Sequence, residues 1–543
     1  MLGAMRRQLT IAMAGLLVIL TVASAPAMGT TPGRTTTGQS RIVWHDCPQY
    51  SDEALRFLMP PELIPQFRQV WQRTQCGKVS VPLGYRDPGG RAIEVALTRV
   101  PATDRAHRIG AMGLNPGGPG GPGYLMPLNI VFNPNLATLN ERYDLIGFDP
   151  RGVGYSSNVE CAPPGPLPEP PPGPITEEFA RIVYDAEVRF NQACGNTDPA
   201  FLGQLTTENV ARDLDRIRSA LGERRLSFFG VSWGTWLGAV YRNLFPQRVE
   251  RMWLDSTAIP GHRFDRFLDE RAAAGEADSR RMTEWMARYD SVYGFGATGE
   301  QVASALLALQ REFNANPRRF TDLDFTFDAF FISLASAQPS PVWPLAAQVL
   351  KELRDATGPT APPTVKQVVG GPGEEEPPPP PDLPPGGSPT MNHAVFCNED
   401  TGQRYDFDGA WAAYQRRVAA NPLTGATLGF SADCTGWPLP VQTVHLQRSS
   451  ASVVLSGHLY ESPSPYQWTW EMQRAVGGSV LTVADDVHGS VSDVPQCAEK
   501  LVAYFNTGRT PWHDQCDGVP VPEPGLPQAR TQPNAFGQLK GKR

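Results

Sequence analysis

Residues 226–245 read LSFFGVSWGTWLGAVYRNLF. An apolar run of strand length enters Gly230-Val231-Ser232-Trp233-Gly234, and a helical pattern leaves it at once. A G-x-S-x-G in a strand–turn–helix setting puts a serine on a tight turn with its hydroxyl exposed, and the flanking glycines let neighbouring backbone come close. The stretch therefore predicts a nucleophilic serine at position 232. The pentapeptide alone also arises by chance in a Gly-rich chain. The strand before it and the small residues Gly234, Gly238 and Ala239 after it set this one apart.

Outward from the turn, further runs read as buried strands: 78–85, 93–100, 143–149, 249–255, 451–457 and 480–484. Between two of them, residues 206–221 carry Val210, Leu214, Ile217 and Leu221 on one helical face. Strand–helix alternation of this kind predicts an α/β fold with a mostly parallel sheet. The alternation stops near residue 260. From 261 to 447 the chain is helix-like and aromatic, and 359–389 is a proline-rich stretch expected to form an extended surface excursion. The predicted organisation is a core in two parts, 40–260 and 448–527, with 261–447 inserted as a mainly helical cap and 528–543 as a polar tail.

With 543 residues, the chain is too long for one ordinary core, and its net charge of −7 with no basic patch argues against nucleic acid. Arg6 and Arg7, the apolar run 11–22 and the small residues 23–27 read as a signal peptide over residues 1–27. The apolar run is short for a spanning helix, so no stable membrane span is expected after cleavage. Export makes the eight cysteines a disulfide framework; about 105 connectivities are open to them, and the simplest pairs neighbours, Cys47–Cys76, Cys161–Cys194, Cys397–Cys434 and Cys497–Cys516. No C-x-x-C occurs and the histidines are scattered, so neither metal nor cofactor is expected.

A serine hydroxyl needs a base, which this architecture supplies as a histidine after the last strand. His488, in Val487-His488-Gly489 behind the strand at 480–484, meets that requirement. An oxyanion hole needs two backbone N–H groups. Trp233, directly after the serine, supplies one, and the loop Asn115-Pro116-Gly117-Gly118-Pro119-Gly120 the other. The acid belongs after the strand at 451–457, where Glu461 is the nearby carboxylate; Asp255, ending an earlier strand, is the alternative.

Together, Asn115–Gly120, Asp149-Pro150-Arg151-Gly152-Val153-Gly154, Gly230–Thr235 and Val487–Gly489 resemble the secreted tripeptidyl aminopeptidases, α/β-hydrolases related to the prolyl iminopeptidases. The resemblance runs from about Trp44 to Cys516. It implies an exopeptidase that releases short peptides, often tripeptides, from a free N-terminus. Ser232 would be its nucleophile, His488 its base, and Gly118 and Trp233 its oxyanion donors. It also makes Glu399, or Asp400, in Ala394-Val395-Phe396-Cys397-Asn398-Glu399 a candidate receptor for the substrate ammonium. The chain departs from the family at Glu461-Ser462-Pro463-Ser464-Pro465, where Asp-Pro-x-Thr-Pro is usual, and at Trp233, where a tyrosine is common. A carboxylesterase or lipase would use the same elbow and oxyanion loop, and an inactive hydrolase scaffold used for binding is the alternative outside enzymes.

Overall fold

The computed structural model describes residues 41–161, 173–370, 378–511 and 513–525. The predicted signal peptide, the polar tail and residues 371–377 of the proline-rich stretch lie outside the described residues. Ten strands form one sheet: β1 Ile42–His45, β2 Gln75–Pro82, β3 Ala92–Val100, β4 Gly110–Asn115, β5 Tyr143–Phe148, β6 Leu226–Val231, β7 Val249–Asp255, β8 Val454–His458, β9 Ser479–Val483 and β10 Asp514–Cys516. Their order is β1-β2-β3-β5-β4-β6-β7-β8-β9-β10. The first three strands and β5 pair antiparallel; from β5 onward every pairing is parallel. All six residues of β5 and all five of β8 are buried, as expected for strands covered on both faces.

Crossover helices cover both faces. The helix Thr207–Ala220 starts where predicted, Thr206 Oγ1 accepting the Asn209 N–H as its N-cap. It packs with the helix Trp233–Leu244 on one face, while the N-terminal helices Asp52–Leu58 and Ile64–Arg73 and the late helix Pro495–Thr507 cover the other. The sheet ends β1 and β10 were not foreseen. Both are short, and β1 has a single buried residue, so neither shows a hydrophobic pattern.

The stretch after β7 is mainly helical, as expected, and holds its own core. Trp285, Leu306, Phe313, Trp343 and Leu350 are buried together there. The helix Glu177–Gly195, between β5 and β6, joins this cap by packing Tyr184 on Phe407. The proline-rich stretch is not one extended excursion. Residues Pro363–Val369 form a helix with Val365 buried, and residues 378–388 run back onto the core. All four neighbour pairings of cysteines are present as disulfides. No helix among the described residues is long and apolar enough to cross a membrane.

Candidate active site

Ser232 follows β6 directly and caps the helix Trp233–Leu244 with φ 59° and ψ −127°, a backbone shape that L-residues rarely adopt. The two motif glycines have steric causes. A Cβ at Gly230 would lie 2.5 Å from the Gly234 carbonyl oxygen, and one at Gly234 would lie 2.8 Å from that of Asn115. The turn is held by the Ser232 N–H, which donates to the Asp255 carbonyl (3.0 Å), and by the Thr235 hydroxyl, which donates to the Ser232 carbonyl (2.7 Å). The serine thus stands at a helix N-terminus, where unpaired N–H groups and the helix dipole favour negative charge.

The oxyanion loop leaves β4 against this turn. A Cβ at Gly117 would meet Ser232 Cβ at 2.7 Å, so the loop touches the serine. The Gly117 N–H is spent on Asn115 Oδ1 at 3.0 Å. The next N–H along the loop is that of Gly118, the position expected to face the oxyanion. The Asp149–Gly154 motif braces the loop: Asp149 accepts the Tyr124 N–H (3.0 Å) on one oxygen and the Tyr155 N–H (2.9 Å) on the other. Arg151 forms a two-point pair with Asp213, 2.7 Å at each contact, with both side chains sealed from water.

His488 Nδ1 lies 3.0 Å from Glu461 Oε2, and the Glu461 side chain is fully buried while His488 is 32% exposed. Orienting an imidazole from Nδ1 leaves Nε2 as the accepting nitrogen. Glu461, not Asp255, is therefore the carboxylate on His488. Asp255 is occupied elsewhere: its Oδ1 accepts from Ser456 Oγ (2.6 Å) and faces His458 Nε2 (3.1 Å). His458 Nδ1 faces Asp485 Oδ1 at 2.6 Å, and none of these three side chains reaches solvent. Burial opposes the charge on the His458 imidazole, but the carboxylates of Asp255, Glu461 and Asp485 hold its pKa well above the ordinary range.

Ser256 completes the corner, and the sequence offered no sign of it. Its Oγ donates to Glu461 Oε2 (3.0 Å) and accepts the Gly489 N–H (2.8 Å), so one hydroxyl ties acid and histidine loop together. A φ of 51° places it there. Residues 255 and 256 thus touch the serine turn, the acid and the histidine loop at the C-terminal edge of the sheet.

Glu399 and Asp400, the candidate ammonium receptors, are both buried and hydrogen-bonded within the protein. Glu399 is 5% exposed; the N–H and hydroxyl of Thr207 and the Trp236 indole N–H (3.0 Å) all donate to it. Burial pushes its pKa up to about 7. Asp400 Oδ1 accepts the N–H groups of Phe264 (3.0 Å) and Gly402 (2.9 Å). Glu399 caps the helix Thr207–Ala220, and Asp400 caps the entry to the first cap helix. Glu399 is a buried fastening between cap and core, and Asp400 one within the cap.

No group of three or more His, Cys, Asp or Glu residues among the described residues is arranged to hold a metal ion. The arrangement is a strained serine at a helix N-terminus, a glycine loop against it and a carboxylate-oriented histidine, all the parts acyl transfer requires.

Residues 111–292 match the family model described as alpha/beta hydrolase fold, and residues 421–517 match that of TAP-like protein. The chain is 31% identical over 476 residues to the tripeptidyl aminopeptidase of Streptomyces lividans, covering 83% of this chain and 85% of that one. It is 39% identical over 190 residues to the serine protease Hip1 of Mycobacterium tuberculosis, 34% of this chain and 36% of that one. A solved proline iminopeptidase of Mycobacterium smegmatis aligns over 79% of this chain and 98% of its own, with 15% identity and a TM-score of 0.33. The chain is a serine hydrolase with the α/β-hydrolase fold and belongs to the tripeptidyl aminopeptidase family.

Proposed function

We propose that the protein is an exported serine exopeptidase that removes short peptides, tripeptides in the main, from free N-termini. The observation that carries the catalytic part is the 3.0 Å contact between His488 Nδ1 and the buried Glu461, on a loop fastened through Ser256 to the serine corner. Ser232 Oγ attacks the scissile carbonyl while His488 Nε2 takes its proton. The carbonyl electrons move onto oxygen, and the Gly118 and Trp233 N–H groups donate hydrogen bonds to that oxyanion. Collapse breaks the C–N bond, and His488 returns the proton to the leaving amine. Water then attacks the acyl-enzyme with His488 again as base, and the peptide acid leaves Ser232. Glu461 holds the imidazole and stabilises its charged form.

The family membership supports a peptide substrate, and a cap of this size over the C-terminal sheet edge supports cleavage close to a chain end. Four disulfides support an oxidising compartment and hence export. The test is to digest one peptide, free and N-acetylated, and weigh the fragments over time. Successive losses of three residues from the free form alone are expected. Equal cleavage of the acetylated peptide would sink the exopeptidase reading, and peptidase activity in Ser232→Ala would sink the catalytic one. A carboxylesterase would show itself by turning over short esters while leaving every peptide intact.

A further inference from the structure

Leu383, Pro384, Pro385 and Gly386 belong to the returning arm of the proline-rich stretch. They close one wall of a cavity of about 960 Å³. Other walls come from Phe67 in the N-terminal helices, Leu128 in the helix Met126–Phe132 behind the oxyanion loop, and Val231. Val231 immediately precedes Ser232, and its Cγ1 lies 3.2 Å from where a Cβ on Gly489 would stand, beside His488. Pro122 of the oxyanion loop and Ser492, beyond His488, also line the cavity. The cavity therefore abuts the catalytic corner from the face of the sheet that carries the N-terminal helices.

The returning arm is fastened at both ends. Asp382 accepts the backbone N–H of Ser51 and its hydroxyl (3.2 Å), at the start of the first helix. Ser388 N–H donates to the Gly120 carbonyl at 3.0 Å, and Asn392 Nδ2 donates to the Pro119 carbonyl at 2.9 Å. The arm thus ends on the oxyanion loop itself. Proline presets the backbone of such a segment, so it forms a wall with little ordering entropy to lose.

The lining selects the occupant. Among the described residues that line the cavity there is no lysine, arginine or histidine, which disfavours an anionic group. Both Asp149 oxygens are engaged by backbone N–H groups, and Asp493 is held by Asn133 Nδ2 and Ser492 Oγ, each at 3.2 Å. The remaining surface is mainly apolar, and the volume falls within the roughly 300–1,000 Å³ of small-ligand sites. We propose that this cavity receives apolar side chains of the peptide substrate and that Leu383 sets its size. The proposal rests on the peptidase reading above.

Leu128→Trp, which fills the cavity, and Leu383→Ala, which opens it, test this in the full-length enzyme. Tripeptidyl-anilides carrying alanine, leucine or phenylalanine at each position in turn are compared, alongside a short-chain and a long-chain ester. Leu128→Trp should lower kcat/KM for the leucine and phenylalanine peptides by about tenfold or more relative to the alanine peptide. Leu383→Ala should shift preference the other way. Labelling of Ser232 by a fluorophosphonate should be unchanged in both. Preferences within twofold of wild type in both variants, with labelling intact, would overturn the proposal. So would an effect confined to the long-chain ester, which would make the cavity an acyl-chain site. A wild-type enzyme that labels yet cleaves no peptide would instead overturn the peptidase reading. Leu383→Ala, in a surface arm, keeps the test decisive if Leu128→Trp fails to fold.

Discussion

His458 makes the sharpest quantitative test of how the catalytic corner is held. Both its ring nitrogens face carboxylates, Asp485 at 2.6 Å and Asp255 at 3.1 Å, and all three side chains are sealed. Two carboxylate partners require two ring donors, so the native ring is an imidazolium. His458→Gln removes the cation and leaves two buried carboxylates unpaired. Breaking a buried pair from one side costs about 3–5 kcal/mol, a large share of the roughly 5–15 kcal/mol by which folded domains are stable. The sign with pH follows from the raised pKa. The unfolded ring titrates near its ordinary value while the folded ring stays protonated above it. The stabilisation is therefore complete below about pH 6.5 and declines as pH rises toward the folded pKa, by about 1.4 kcal/mol per unit. Urea unfolding of wild type and variant at pH 7, with disulfides intact, measures the difference. A ¹⁵N histidine spectrum at pH 8 should show one imidazole with both nitrogens protonated, absent from the variant. A stability difference under about 1 kcal/mol, or a neutral His458 ring at pH 8, would refute the ion trio.

Other predictions follow from single contacts. Glu461→Gln should lower kcat by roughly 10⁴-fold with the substrate still bound, whereas Asp255→Asn should act chiefly on stability; equal kinetic losses in both would remove Glu461 from the triad. Ser256→Ala deletes the hydroxyl between Glu461 and the Gly489 N–H, and steady-state kinetics should show kcat down about tenfold at little change in KM. Gly117→Ala, at φ 101° with Val231 O 2.6 Å from the new Cβ, should abolish fluorophosphonate labelling in folded protein. Glu399 binds a proton more tightly folded than unfolded, so its contribution to stability should fall as pH rises from its ordinary carboxylate range to about 7. Glu399→Gln should flatten that slope in urea midpoints. Removing the Cys497–Cys516 bridge, 19 residues apart, should lower stability by about 3 kcal/mol without touching the site.

What was legible in the sequence was local. Gly230 and Gly234 flank Ser232 because no Cβ fits against the Gly234 and Asn115 carbonyls, and such a steric demand leaves its mark in adjacent letters. The buried strands around it declared themselves by apolar runs, and His488 by its place behind the last of the long strands. The disulfides follow chain order, the simplest of the many pairings that the sequence left open. The burial of Glu399 was not legible, because a carboxylate near a cysteine looks the same in sequence whether it faces solvent or caps a buried helix; only the approach of Thr207 and Trp236 tells. The charge on His458, the bridge through Ser256 and the choice of Glu461 over Asp255 depend on residues about 200 positions apart meeting at strand ends. The cavity behind Val231 likewise exists only because a proline-rich arm returns to the oxyanion loop. The sequence by itself determined the serine, the histidine and the sheet that carries them, since each rests on neighbours along the chain. Tertiary structure alone put Glu461 rather than Asp255 against His488, tied the pair through Ser256 and left the cavity beside them, because hydrogen-bond partners and empty volume are set by distance in space.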